Sequence, residues 1–167
     1  MSEATPSTAA RIATGAAVGL IAGLAASFAM DRFQALTQPK SDDDSEPATE
    51  QAADGIARVV TGEPLAANDK PLGGQLVHYG LGTLLGTGYG IAAEFAPRVT
   101  TSMGTAFGIG TWAVLDEAAV PAAGLGDPPW KAAPSTQAYS LSSHLVFGVV
   151  AEGARVGARA ALDRFRK

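Results

Sequence analysis

The chain has 167 residues, 47% of them hydrophobic and 17% charged, with a formal net charge of -4. That length suits one domain. It contains no cysteine, which excludes disulfides, thiolate metal sites and iron–sulfur clusters, and nucleic acid is not an expected partner. The averages fit a soluble protein as well as a membrane protein, so the distribution of apolar residues has to decide.

Those residues gather into four long blocks, each about as long as a bilayer-spanning helix requires. The first, "IATGAAVGLIAGLAASFAM", runs from Ile12 to Met30 behind Arg11. Its core is longer than that of a secretory signal and "AASFAMD" is a poor cleavage site, so it reads as a retained span. A polar loop follows over residues 31–71, with nine acids and four bases and hence a formal charge of -5. Within it, Ala52, Ile56, Val59 and Val60 predict a short helix from Ala48 to Val60, read as a solvated linker rather than as a helix lying on a membrane surface.

The second block is Leu72 to Ala96, and the third runs from Val99 to Val120 and stops at Pro121. A Pro/Gly-rich loop, with Trp130 as an expected interfacial anchor, leads to the fourth block, Gln137 to Ala158. A basic cytoplasmic tail, 161–167, closes the chain, and residues 1–11 form a short N-terminal segment on the same side. The four-span domain thus covers 12–160. Arg11, Arg98, Arg155, Arg159, Arg164, Arg166 and Lys167 sit beside helix ends on the terminal side, so the positive-inside rule puts both termini in the cytoplasm and the acidic loop outside.

Each block carries a row of small residues at intervals of four that ends in a carboxylate. The rows are Gly15, Gly19, Gly23, Ser27, Asp31; His78, Gly82, Gly86, Gly90, Glu94; Gly104, Gly108, Trp112, Asp116; and His144, Gly148, Glu152. Glycine rows let helix backbones approach closely where lipid supplies no hydrophobic force between helices. They are packing surfaces here, because a phosphate-cradling loop needs a strand-to-helix turn.

Alternating span directions place Asp31, His78, Asp116, Glu117 and His144 near the outer leaflet. Glu94 and Glu152 fall at the inner boundary, where pairs with Arg98 and Arg155 are expected. His78 and Glu94 are 16 residues apart, about 24 Å along a helix, and cannot share a ligand. The outer set is the candidate site. Two imidazoles with carboxylates suit a divalent metal, two histidines on facing helices suit the axial positions of a haem, and the same groups can pass protons. A hydrogen-bonded structural network is the competing reading.

The segments "HYGLGTLLGTGYG", "GTAFGIGTWAVLDEAAVPAAGL" and "SSHLVFGVVAEGAR" resemble the YagU-like, DUF1440 family of bacterial inner-membrane proteins, over roughly Gly15 to Arg159. The residues that carry the resemblance are His78, then Asp116, Glu117 and Pro121, then His144 and Glu152. It implies a polytopic inner-membrane protein and supplies neither reaction nor cofactor.

The expectation is therefore an all-α, four-helix transmembrane bundle in membrane lipid, whose His/Asp/Glu set handles protons or a divalent metal. The alternatives are a structural or assembly subunit, as a homo-oligomer or beside other membrane subunits, and a small haem-binding or metal-dependent redox protein.

Overall fold

The computed structural model describes residues 6–38 and 46–165. The acidic run Asp42, Asp43, Asp44 and the basic residues Arg166 and Lys167, which entered the charge reading, lie outside the described residues. The described chain is all-α and contains no strand. Its elements are α1 (Thr8–Thr37), α2 (Ala48–Thr61), α3 (Lys70–Phe95), a 3₁₀ turn (Pro97–Thr100), α4 (Thr105–Val114), a π turn (Leu115–Ala119), the single helical turn α5 (Val120–Ala122) and α6 (Pro134–Phe165).

Local chemistry explains these limits. Ser7 caps α1, its hydroxyl accepting the Ala10 N–H at 3.2 Å, and Pro71 opens α3 in the first turn, where a missing N–H costs nothing. Pro97 prevents α3 from running into the third block. The expected span from Val99 is thus corrected: its first residues form a 3₁₀ turn and bend, and helix begins only after Gly104, whose φ of 83° is in the left-handed region that favours glycine. The outer helices are longer than the apolar blocks. α1 continues seven residues past Met30, and α6 continues to Phe165, so the segment expected as a separate tail is helical as far as it is described.

The helices pack as two antiparallel hairpins, each closed by backbone contact. On α1 and α3 the rows pair as Gly15 with Gly90, Gly19 with Gly86 and Gly23 with Gly82. A Cβ on Gly19 would lie 2.3 Å from the Gly86 carbonyl oxygen, and one on Gly86 would lie 2.5 Å from Gly23 Cα. On α4 and α6 the same device recurs. A Cβ on Gly108 would stand 2.3 Å from the His144 carbonyl oxygen, and one on Gly148 would stand 2.2 Å from that of Gly104. α1 also packs on α6, joining the hairpins through Ala26, Met30, Phe147 and Ala151, with Leu85, Phe107 and Val150 against them.

The distribution of side-chain size is inverted relative to a water-soluble core. The largest side chains shut off completely are those of Ser27 and Ser143, whereas Leu20, Leu24, Phe28, Leu76, Leu84, Ile109, Val149 and Val156 are exposed. By length and composition, α1 is the one helix among the described residues long and apolar enough to cross a membrane.

α2 lies against the start of α3, with Ala53 near Gly73 and Glu50 near Gly74. Lys70 pairs with Glu46 at 2.8 Å, and Asp54 accepts the Leu65 N–H at 2.8 Å and the Arg58 Nε–H at 3.0 Å. Arg58 and the Leu65 amide hold the Asp54 carboxyl below its ordinary value of 3.8.

Two outcomes test this packing. Gly86→Ala should lower the thermal midpoint, because overpacking a closed contact costs about 1–3 kcal/mol; Gly88→Ala, with nothing within 4 Å of its Cβ position, should hold or raise it, alanine being the better helix former by about 1 kcal/mol. Equal effects would remove the seam. Because the folded pKa of Asp54 is depressed, its contribution is present above pH 3.8 and is lost as the pH falls further; the protection of the Leu65 amide relative to its intrinsic exchange rate should drop below that value in the parent chain and show no such step in Asp54→Asn.

Candidate functional site

The π turn Leu115–Ala119 holds the Asp116–Glu117 pair. Pro121 follows it. A proline inside a helix has no N–H to donate and its ring collides with the carbonyl four residues back, here that of Glu117. Widening the turn relieves that collision, and the Val120 N–H reaches back five residues to the Leu115 carbonyl. The wider turn also carries the acidic pair, and π turns inside α-helices are frequent at functional sites.

Asp116 projects to α6. Its Oδ2 accepts the Ser140 hydroxyl and lies 3.7 Å from His144 Nδ1, while the same Nδ1 lies 3.0 Å from the Ser140 carbonyl oxygen. His144 is buried, only 6% exposed. Its Nδ1 therefore stands between two acceptors, an arrangement that keeps a proton on Nδ1 and leaves Nε2 of the neutral ring as the basic position. Next to it, Glu117 accepts from Gln137 Nε2 at 3.2 Å, and that amide also donates to the Pro129 carbonyl at 3.3 Å. The Gln137 Oε1 and, one turn before Asp116, the Trp112 Nε1 are buried and have no partner.

The other two residues of the expected cluster are elsewhere at this end. His78 Nε2 lies 3.2 Å from the Ser27 carbonyl oxygen, on the α1–α3 seam, and Asp31 pairs with Arg32 at 2.6 Å. The five residues therefore occupy separate positions: Asp116 with His144, Glu117 beside them, His78 and Asp31 on the other hairpin. Among the described residues, no three His, Asp or Glu side chains come close enough together to hold a metal ion. One turn after each histidine the helix face is closely packed: Ser27 lies against Gly82, and the α4 backbone lies against Gly148.

At the opposite end the structure builds a network larger than the sequence suggested. Tyr89 donates to Glu152 Oε2 at 2.9 Å, and Arg155 binds both Glu152 oxygens, each at 2.7 Å. Tyr89 stacks on Phe107, with ring centroids 4.2 Å apart. The expected Glu152–Arg155 pair is present. Glu94, however, pairs with Arg159 of α6 and not with Arg98: the chain turns at Pro97, and the antiparallel seam brings the end of α3 to the last turns of α6 instead. Tyr89 was not singled out because it carries no charge at neutral pH; its place beside Gly90, next to the seam, was the available signal.

The chain was compared with known families, curated proteins and solved structures. The model of a family described as protein of unknown function, DUF1440, matches residues 35–153. The chain belongs to the DUF1440 family. No curated protein and no solved structure matches. The DUF1440 match takes in Asp116, Glu117, Ser140 and His144, and also Tyr89, Glu94 and Glu152; it begins after the glycine row of α1 and ends before Arg155 and Arg159.

In this DUF1440 protein the two ends should respond differently to substitution. Glu152→Ala leaves the Arg155 guanidinium without its counter-ion and should cost about 3 kcal/mol, whereas Tyr89→Phe removes one hydrogen bond and should cost about 1 kcal/mol. Thermal denaturation of both variants measures the difference; a Glu152→Ala midpoint equal to that of the parent chain would show that the network is not structural.

Proposed function

We propose that this DUF1440 protein is a four-span bundle of the bacterial inner membrane, with cytoplasmic termini, in which Asp116, Ser140 and His144 bind and pass protons near the outer face. The membrane reading is supported by the skewed distribution of side-chain size: serine and glycine line the helix seams, while many large apolar residues, among them Leu20, Leu24, Phe28, Leu76, Leu84 and Ile109, face outward. In water that arrangement forfeits the main driving force of folding, whereas in lipid it gives tight helix contact and an apolar exterior.

The observation that carries the proton reading is the position of Asp116 Oδ2, on a half-exposed carboxylate, 3.7 Å from Nδ1 of the buried His144, with the Ser140 hydroxyl on the same carboxylate oxygen. When Nε2 takes up a proton, the imidazolium faces the Asp116 carboxylate. A small turn of the ring that closes the 3.7 Å gap, or one bridging water, then lets the Nδ1 proton pass to Asp116, leaving a neutral ring of the other tautomer and a protonated carboxyl that passes the proton on. Ionisable groups within a span are costly to keep and mark such relays. A metal at the same place requires a third protein ligand beyond the pair that the geometry brings together.

Proteoliposomes with a trapped pH dye test the reading. After an external acid step the wild-type vesicles should equilibrate faster than empty ones; Asp116→Asn and His144→Gln should each slow them about tenfold or more, while His78→Gln should not. Wild-type vesicles no faster than empty ones would contradict the relay. For topology, an alkaline phosphatase reporter fused after Lys167 should be silent and one inserted after Thr61 active; the reverse pattern would overturn the orientation.

A further inference from the structure

The reading of α2 as a solvated linker does not survive its packing. A solvated surface helix turns apolar residues to the protein and polar ones to water. α2 buries only Ala53, against Gly73, and turns its large apolar residues the other way. Glu50 lies against Gly74; Gln51 donates to the Glu46 carbonyl at 2.6 Å and to the Leu125 carbonyl at 3.5 Å; Asp54 is held by Arg58 and the Leu65 amide. Ile56, Val59 and Val60 are turned away from the bundle, at 56%, 87% and 76% exposure.

The contacts of Gln51 with Leu125 and of Asp54 with the Leu65 amide, together with Ala53 against Gly73, fix that rotation, because turning the valines inward would break them. Other exposed apolar residues lie at the same end of the bundle: Leu36 near the end of α1, Leu72 at the start of α3, and Trp130 in the loop after α5. Tyr139 of α6, whose hydroxyl lies 3.5 Å from the Gln34 carbonyl, ties α6 to α1 at this end, and the Gln51–Leu125 contact ties α2 to the loop after α5.

We infer that α2 is an interfacial helix: its Ile56, Val59 and Val60 face enters the boundary between headgroups and acyl chains of the outer leaflet, and with Trp130 it forms an apolar collar around the mouth of the Asp116–His144 site. This rests on the membrane reading above. An amphipathic helix with its apolar face a few ångströms into that boundary is a stable arrangement, and exposed Trp belongs at the same depth. The collar fixes the depth of the bundle, so the proton site sits at a constant distance from the aqueous phase.

The chain has no cysteine, so single spin labels can be placed without background. Val59→Cys and Val60→Cys, with Leu84→Cys as a mid-span reference and Glu63→Cys as a loop reference, are labelled and reconstituted in vesicles of phosphatidylethanolamine and phosphatidylglycerol. Collision with oxygen and with a water-soluble nickel chelate is then read by electron paramagnetic resonance. Labels at 59 and 60 should favour oxygen several-fold more than the label at 63, approaching the label at 84. Water-like values at 59 and 60 with a lipid-like value at 84 overturn the inference and leave the membrane reading standing. Water-like values at all four positions overturn both. Exclusion of both reagents at 59 and 60 would mean that protein, not lipid, covers the face, and also overturns the inference.

Discussion

The contact on which the rest of the structure depends is that of one backbone on another, between α1 and α3. Where Gly15, Gly19 and Gly23 meet Gly90, Gly86 and Gly82 there is no room for a single methyl group, so the interior there is peptide rather than side chain. Most large apolar residues of these two helices, among them Leu20, Leu24, Phe28, Leu76 and Leu84, are thereby directed outward, while Met30 packs on α6. The next step of the same register sets Ser27 against His78, whose ring nitrogen finds the Ser27 carbonyl. The seam thus holds a histidine at one end of the bundle as a consequence of its spacing.

α4 and α6 repeat the device with fewer glycines, and the repeat breaks where the chemistry begins. After Gly104 and Gly108 the α4 row continues with Trp112 and Asp116, the helix widens ahead of Pro121, and Asp116 faces Ser140 and His144. The other end of the bundle is closed by charge pairs: Glu152 with Arg155 and Tyr89, and Glu94 with Arg159. One end is consequently a set of compensated ions, and the other keeps two buried, unpartnered polar atoms, Trp112 Nε1 and Gln137 Oε1, beside the Asp116–His144 pair.

Much of this was legible in the four-residue spacing, which marks a helix face without reference to the rest of the chain. The all-α class, the glycine seams and the short helix after Pro47 follow from it. The pairing of seams does not, because a glycine row is equally compatible with any other row; nothing in the spacing of α3 says that Gly86 meets Gly23 and Gly19. For the same reason Glu94 was assigned to the arginine nearest in sequence, Arg98, when the turn at Pro97 delivers it to Arg159. The π turn was hidden as well: Pro121 signals an end to the helix, and only the backbone reveals that the chain widens one turn earlier. In α2 the positions of Ile56, Val59 and Val60 were visible but not which way they point, since that is decided by the contacts of Gln51 with Leu125, Ala53 with Gly73 and Asp54 with the Leu65 amide.

The central claim is the α1–α3 register, and its most direct measurement is a disulfide. A Cβ at Gly82 would lie 3.4 Å from the Ser27 Cβ, close to the separation of about 3.5–4.5 Å that a disulfide requires. In membranes from cells expressing the Ser27→Cys/Gly82→Cys chain, mild oxidation should form an intramolecular bond rapidly and in high yield. The Ser27→Cys/Gly86→Cys chain, one turn out of register, should form little. Efficient bonding of the second pair and not the first would contradict the register and the site geometry that depends on it.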